Sequence, residues 1–395
     1  MIRRVSIAVL LPRYEHGAIE ERYASWQTQL LLRRGEDHSR LIVYEAAAPA
    51  SAILGKVTEE FVLIVTDPLL LASPRIGVQL RHALRSTNAA AAVPSTNEAA
   101  EPRQQRTPPA PYLTLRELEE VFALAASDTT PAEVVRWESH DPAAFLTKTS
   151  TLASLDVPLR DALRGLDVAI VPNEYAHRWS SMRGQTRHDL LSRIDPDARR
   201  ILEFGCGEAP LGQALKARQP CRVVGIELDP DAAAIAATRI DAVHRGDARK
   251  VVAGLDEQFD TIIGGDIVEH LDEPWSFLEA LRHVAAPGAT LLLSIPNLAN
   301  ASLVSDLVRG RFDYVYMGLT CVGHLRFFTR QTIVDMLTIA GWSDVRLEAQ
   351  DAVATPARDR LLTALAASGI EHSVDDLLPT GFYVTARNGP VPVTQ

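Results

Sequence analysis

Residues 201–212 read ILEFGCGEAPLG, an apolar strand, a glycine turn and the start of a helix in direct succession. This run constrains the chain more than any other, because it demands an open α/β sheet with a ligand at the strand end. Gly205 and Gly207 permit positive φ and a close approach of backbone to ligand. The first amides of the following helix add free donors. A dinucleotide fingerprint needs a third glycine at position 210, where this chain has Pro210. Glu203 stands just before the turn instead, and an acid there repels a pyrophosphate but welcomes a cationic amino group or a sulfonium.

The following residues come in the order such a ligand requires, and together they point to S-adenosylmethionine rather than NAD. A second β-branched run, CRVVGIE, ends at Glu227, roughly 20 residues on, where a carboxylate can grip ribose hydroxyls, with Leu228 next. A helix is expected over Pro230 to Ile240. A third strand ends in Gly246-Asp247-Ala248, where the aspartate can accept from an adenine amino group. Phe259 to Gly264 forms a fourth strand, followed by Asp266-Ile267-Val268-Glu269-His270, and Thr290 to Ile295 a fifth.

The succession LEFGCGEAPLG, VVGIELDP, RGDA, FDTIIGGDIVEHLDEP, LRHVAAPGATLLLSIPN and HLRFFTRQTIVDMLTIAGW closely resembles the class I S-adenosylmethionine-dependent methyltransferase family, from about Tyr175 to Arg387. Within it the chain is similar to small-molecule methyltransferases found beside or fused to glycosyltransferases, and more distantly to the ubiquinone and methionine-biosynthesis O-methyltransferase types. The resemblance implies a Rossmann-like seven-stranded sheet, mostly parallel, with its last strand at Gly381 to Arg387 antiparallel beside one near Asp344 to Ala349. It also implies that Glu203, Gly205, Cys206 and Gly207 surround the methionine part. Glu227 and Leu228 would meet the ribose side, Asp247 and the backbone at Ala248 the adenine, and Asp266 and Ile267 the sulfonium. The third glycine usual in the family's motif is Ala209 here, which adds one methyl to the loop.

Composition narrows the class. With 40 Lys and Arg against 50 Asp and Glu, the net charge is -10, so the overall field opposes nucleic acid and anionic membrane. Neither a nucleic-acid partner nor membrane insertion is expected, no targeting segment is visible, and the reading is a cytoplasmic protein. Cys206, Cys221 and Cys321 lack C-x-x-C spacing, so no metal centre or disulfide framework is expected. Cys206 is most simply a small packing residue.

The chain divides on this reading into residues 1–170, a smaller α/β domain, and residues 171–395, the methyltransferase-like domain. Val5 to Leu11, Leu41 to Tyr44 and Phe61 to Val65 read as strands, with helices around Ile19 to Arg34 and near Ser51 to Glu60. Ala89 to Pro111 reads as a long surface loop. Asp167 to Val171 reads as a last strand that Pro172-Asn173 breaks. The third strand ends in Thr66-Asp67-Pro68, and this half weakly resembles a reduced family 2-like glycosyltransferase domain of GT-A-like fold. Such enzymes present two aspartates around one residue to hold a divalent ion, whereas this chain offers Asp67 and then proline. The preferred expectation is a scaffold or partner surface without transferase activity.

Methyl transfer is an in-line displacement that depends on alignment, and a hydroxyl acceptor benefits from a base. His270 and His324 are the candidate catalytic residues, since an imidazole titrates near physiological pH. Each also has a structural reading, as a helix-start or loop-pinning residue. The 297–324 segment, with Arg309, Arg311, Phe312, Tyr314, Tyr316 and Met317, is the candidate acceptor lid. Upstream, Tyr175, His177, Arg178, Arg183 and Arg187 are candidates to close over the cofactor, with Arg178 or Arg187 on a carboxylate. The expected function is methyl transfer to a hydroxyl or amine of a small polar metabolite, sugar-containing ones included. The alternatives are a bifunctional glycosyltransferase and methyltransferase, and a non-catalytic binding or scaffold protein. Whether the 351–379 insertion makes a homodimer contact is left open.

Overall fold

The computed structural model describes residues 7–12, 22–23, 27–28, 38–67, 69–179 and 184–389. Two compact units emerge, the first from residues 1–180 with 313–322, the second from 181–312 with 323–395. The division therefore falls ten residues or so beyond the expected boundary at 170, and the chain returns once to its first unit.

In the first unit, strands β1 (Ile7–Pro12), β2 (His38–Tyr44) and β3 (Phe61–Val65) pair in parallel around β1. Both β1 and β3 are buried along their whole length, as expected for strands covered on both faces. With β4 (Leu70–Ala72), β5 (Ala91–Thr96), β6 (Glu133–Arg136), β7 (Ala144–Lys148) and β8 (Asp167–Arg178) they form an eight-stranded mixed sheet, ordered β2-β1-β3-β7-β5-β8-β4, with β6 also on β8. The helix expected over 19–34 lies largely outside the described residues, as does Pro68. The second expected helix is the shorter Ala50–Leu54.

Two expectations fail here for one reason. The supposed surface loop at 89–111 contains β5, an interior strand that is buried throughout. Its side chains are small because the sheet is packed on both faces, Ala92 on one side and Ala91 with Val93 on the other. A strand reading AAVPST, with valine as its one large apolar residue, carries no hydrophobic period to read. Nor does Pro172 end the strand before it: β8 runs on to Arg178, and the ladder with β5 jumps from Pro94↔Val171 to Ser95↔Tyr175. Pro94 and Pro172, both at that step, lack amide donors, and the irregular register absorbs the loss.

In the second unit, β9 (Arg200–Phe204), β10 (Arg222–Glu227), β11 (Ala242–Arg245), β12 (Phe259–Gly265), β13 (Ala285–Pro296), β14 (Ser343–Ala349) and β15 (Gly381–Arg387) form a seven-stranded sheet ordered β11-β10-β9-β12-β13-β15-β14. All neighbours are parallel except that β15 runs antiparallel to both β13 and β14. Every strand expected from the sequence is present. Alternating residues serve opposite faces: Leu202, Phe204, Val224 and Ile226 pack with Phe277, Leu281 and Trp342, while Ile201 and Val223 pack with Leu211, Leu215 and Ile240. The helix that follows β12 is Pro274–Val284, and Ala285 already begins β13. After β9 the chain builds outward to β11, then returns to place β12 on the other side of β9. That reversal opens a crevice at the carboxyl ends of β9 and β12, the customary ligand position in open α/β sheets. No helix among the described residues is long and apolar enough to cross a membrane.

Trp342 seals one face of this unit, fully buried, with its indole N–H donating to the Leu278 carbonyl at 2.8 Å. Trp342→Phe removes both volume and that hydrogen bond. It is expected to lower unfolding free energy by about 1–3 kcal/mol in urea titration.

Candidate active site

The crevice is built from the turn after β9. There the Gly205 and Cys206 amides both donate to the Ile226 carbonyl, at 2.8 and 3.2 Å. The Gly207 amide donates to Glu227 Oε2 at 2.8 Å, and Glu227 Oε1 accepts from the Asp229 amide at 2.8 Å. Gly205 and Gly207 have φ of 67° and 55°, so both need the left-handed region. Ala209 also lies there, at φ 56° and ψ 42°, just before the helix Pro210–Arg218. A non-glycine residue in that conformation costs roughly 1–2 kcal/mol. The loop thus keeps the shape a third glycine would allow.

Glu203, Gly205, Gly207, Glu227 and Ile267 come together as expected. A Cβ on Gly205 would meet Ile267 Cδ1 at 2.4 Å, so Ile267 covers the turn directly. Glu203 is buried, and its Oε2 has no hydrogen-bond partner among the described residues. Burial pushes its carboxyl up to about 8, opposed by the Gly212 amide, reinforced by Glu227 and opposed again by Arg187. The Gly246 amide donates to the Glu227 carbonyl at 2.8 Å, which draws the ends of β10 and β11 together. Asp247 caps the helix Ala248–Val252 and holds Arg249. Leu228 is 72% exposed beside Glu227, an apolar surface at the mouth.

Cys206 is the exception in this set. It belongs to the core cluster with Ile240, and a Cβ on Gly225 would meet its Sγ at 2.7 Å. Burial pushes its thiol up. Its side chain is a packing element, which takes the thiol out of the ligand set.

Across the crevice, Asp266 also has positive φ, 52°. Its Oδ2 accepts from Arg187 Nη1 at 2.6 Å and its Oδ1 from Ser294 Oγ at 2.8 Å. Arg187 also donates to Asp189, so its guanidinium is committed to two aspartates rather than held ready for a ligand carboxylate. The turn Val268–His270 then presents Glu269 inward and His270 half-exposed. His324 arrives from 54 residues further along, its ring edge-on to His270 with centroids 4.9 Å apart. Glu269 is 1% exposed, neither of its carboxylate oxygens has a hydrogen-bond partner among the described residues, and His324 Nε2 lies 3.9 Å from Oε1. Burial holds its carboxyl well above the ordinary range, and Asp266 adds to this. The Glu269 carbonyl meanwhile accepts from the Leu325 and Arg326 amides, at 2.8 and 3.0 Å, which locks the His324 segment in place.

Sequence reasoning assigned no role to Glu269 or Ser294. The available signal was an acid inside the apolar run DIVEHL, where a surface acid has no reason to be. Other upstream candidates lie elsewhere. Tyr175, His177 and Arg178 belong to β8 of the first unit, and Arg183 lies outside the described residues. Nor is the 297–324 segment one lid. It begins with the helix Ala301–Leu307, and residues 313–322 belong to the first unit, where Tyr316 is buried against Trp179 and the Tyr314 carbonyl accepts from Gln27.

Residues 175–347 match the family model described as a methyltransferase domain. Among curated relatives, the ubiquinone biosynthesis O-methyltransferase of Cereibacter sphaeroides is 24% identical over 162 residues, 40% of this chain and 65% of the relative. That of Xylella fastidiosa is 30% identical over 135 residues, 32% of this chain and 54% of the relative. The chain thus spans less than two thirds of the length of these relatives. Solved structures similar to it include a SAM-dependent methyltransferase from Archaeoglobus fulgidus, at 17% identity and TM-score 0.38, covering 51% of this chain and 94% of that one. Another is the N-methyltransferase NodS from Bradyrhizobium japonicum with S-adenosyl-L-homocysteine, at 18% identity and TM-score 0.33, covering 51% and 85%.

Gly205→Ala brings both a strained φ and the clash with Ile267, and is expected to cost about 2–4 kcal/mol in urea titration. Adding Ile267→Ala should recover the clash but not the strain. A double-mutant cycle that shows simple additivity would contradict this assignment.

Proposed function

We propose that the chain transfers the methyl group of S-adenosylmethionine to a hydroxyl or amine of a small polar metabolite, a class that includes sugars. The observation that carries this reading is Glu203, a buried carboxylate at the open end of β9 with one oxygen that lacks a hydrogen-bond partner among the described residues. A buried acid left in this state costs several kcal/mol unless a cation or donor comes to it. The α-ammonium of the methionine part is such a group, and the residues around it fit the rest of the cofactor. Glu227 stands two strands from β12 with both oxygens already oriented by backbone amides, ready to accept from ribose hydroxyls. Leu228 offers an apolar face and Asp247 an acceptor at the adenine end. When bound, S-adenosylmethionine supplies an electrophilic methyl on a cationic sulfur.

The chain's own contribution is alignment and proton handling. Ile267, pressed on Gly205, shapes the pocket beside the sulfonium. Asp266, fixed by Arg187 and Ser294, places a negative charge on the same side. His270, His324 and Glu269 form a polar cluster beyond them, where the acceptor's proton is managed.

A bifunctional reading receives no comparable support. In the first unit Arg178 bridges Asp67 at 2.8 Å and Asp141 at 3.0 Å, so a guanidinium already occupies the space between the two acids. That arrangement supports a scaffold role for this unit.

Titration calorimetry with S-adenosylhomocysteine tests the reading. We expect micromolar binding by the wild type and at least tenfold weaker binding by Glu227→Ala; no binding by a folded wild type would sink it. The pH dependence has a definite sign. Glu203 is mostly protonated below about 8, and the ligand's ammonium requires the carboxylate. Affinity should therefore rise with pH up to about 8, by as much as tenfold per unit, with release of up to one proton. Glu203→Gln should flatten this slope, which titrations in buffers of different ionisation enthalpy would measure.

A further inference from the structure

We propose that Arg239 is a positioning residue for the cofactor turn: its guanidinium holds the Glu208–Ala209 peptide in an orientation that a glycine at position 209 would tolerate unaided. Arg239 Nη1 donates to the Glu208 carbonyl at 3.0 Å and lies 3.4 Å from Glu208 Oε2. It reaches the turn from just past the end of the helix Pro230–Ala236, 31 residues further along the chain.

The plane of that peptide decides the conformation of Ala209. Turning it over moves the carbonyl of residue 208 and the φ of residue 209 together, because a trans peptide rotates as one rigid unit. A flip of about 180° would carry Ala209 from φ 56° to roughly −120°, a region that alanine adopts without strain. Strain at Ala209 therefore favours the flip, and whatever holds the Glu208 carbonyl opposes it. A hydrogen bond from a charged donor is at least as large as the cost of a left-handed alanine, so one guanidinium is enough to decide the orientation. On the other edge of the same plane, the Ala209 amide donates to the Cys206 carbonyl at 2.8 Å and adds to the hold.

The arm that carries Arg239 is itself fixed. Two residues on, Asp241 is tied to β10 twice, its amide donating to the Val223 carbonyl at 3.1 Å and its carboxylate accepting from the Val223 amide at 2.8 Å. Between them, the Ile240 side chain fills the space that a Cβ on Gly212 or Gly225 would need. The guanidinium is thus presented from a packed base.

What the hold serves rests on the methyltransferase reading above. Ala209 directly precedes the helix Pro210–Arg218, and its carbonyl accepts from the Gln213 amide at 3.0 Å. The orientation of the 208–209 peptide therefore sets where the free amides of the first helical turn point. The proposed cofactor site has its methionine end against those amides and the glycine turn. Alanine in place of the third glycine is compatible with that site because Arg239 supplies a hold that glycine would not need.

The test titrates S-adenosylhomocysteine by calorimetry into the full chain, into Arg239→Met, into Ala209→Gly and into the double variant, and unfolds the same four proteins in urea. The Arg239 side chain is 27% exposed, so its variant should keep the fold, which circular dichroism checks. We expect Arg239→Met to bind about tenfold more weakly than the wild type, Ala209→Gly to bind within about twofold of it, and the double variant to recover nearly all of the loss. Arg239→Lys, which keeps the charge and a donor, should lose less than Arg239→Met. A folded Arg239→Met variant that binds like the wild type overturns the inference, and so does a loss that Ala209→Gly leaves in place. A folded wild type that binds no S-adenosylhomocysteine overturns the methyltransferase reading, and the urea series then judges the hold by itself. Equal destabilisation by Arg239→Met with alanine or glycine at position 209 overturns it, and a smaller effect with glycine supports it.

Discussion

The Ile226 carbonyl is the point on which the candidate site depends. It accepts the amides of Gly205 and Cys206 together, just where β9 ends, while Gly207 reaches the Glu227 carboxylate on the same neighbouring strand. The turn is therefore shaped by the next strand rather than by its own sequence alone. That interlock explains why Ala209 is tolerated in a left-handed conformation: the surrounding bonds over-determine the loop, and the strain of one residue is offset by several backbone partners.

Around this turn the sheet carries two buried acids, Glu203 in β9 and Glu269 after β12, each with an oxygen lacking a partner. An ordinary core would exclude both. Between them, Arg187, Asp189, Asp266 and Ser294 form a saturated charged network that fixes the left-handed backbone at Asp266. Satisfied charges thus define the frame around the two acids.

The first unit obeys different constraints. Its charged centre, Arg178 with Asp67 and Asp141, is internally bridged, and its sheet draws in small residues at β5. Residues 313–322 belong to it although they are encoded between segments of the second unit. Nothing local in YVYMGLT, the run from 314, announces that allegiance. Tyr316 reads equally well as a ligand-facing aromatic, and only its burial against Trp179 decides that it is packing.

The sequence by itself determined the second unit's strands, their order and the residues of the glycine turn. Long parallel strands buried on both faces write themselves as unbroken β-branched runs, and a ligand turn requires glycines and acids at set distances. It also named His270 and His324, since imidazoles near a strand end are conspicuous. Only the tertiary structure brought those two rings to 4.9 Å and set Glu269 beside them. The meeting spans 54 positions and is made by backbone bonds from residues 325 and 326 to residue 269, which no local pattern encodes. The same holds for β5 and β8, where alanines and prolines became interior strands because neighbouring strands supplied the hydrogen bonds and the burial that their own side chains do not signal.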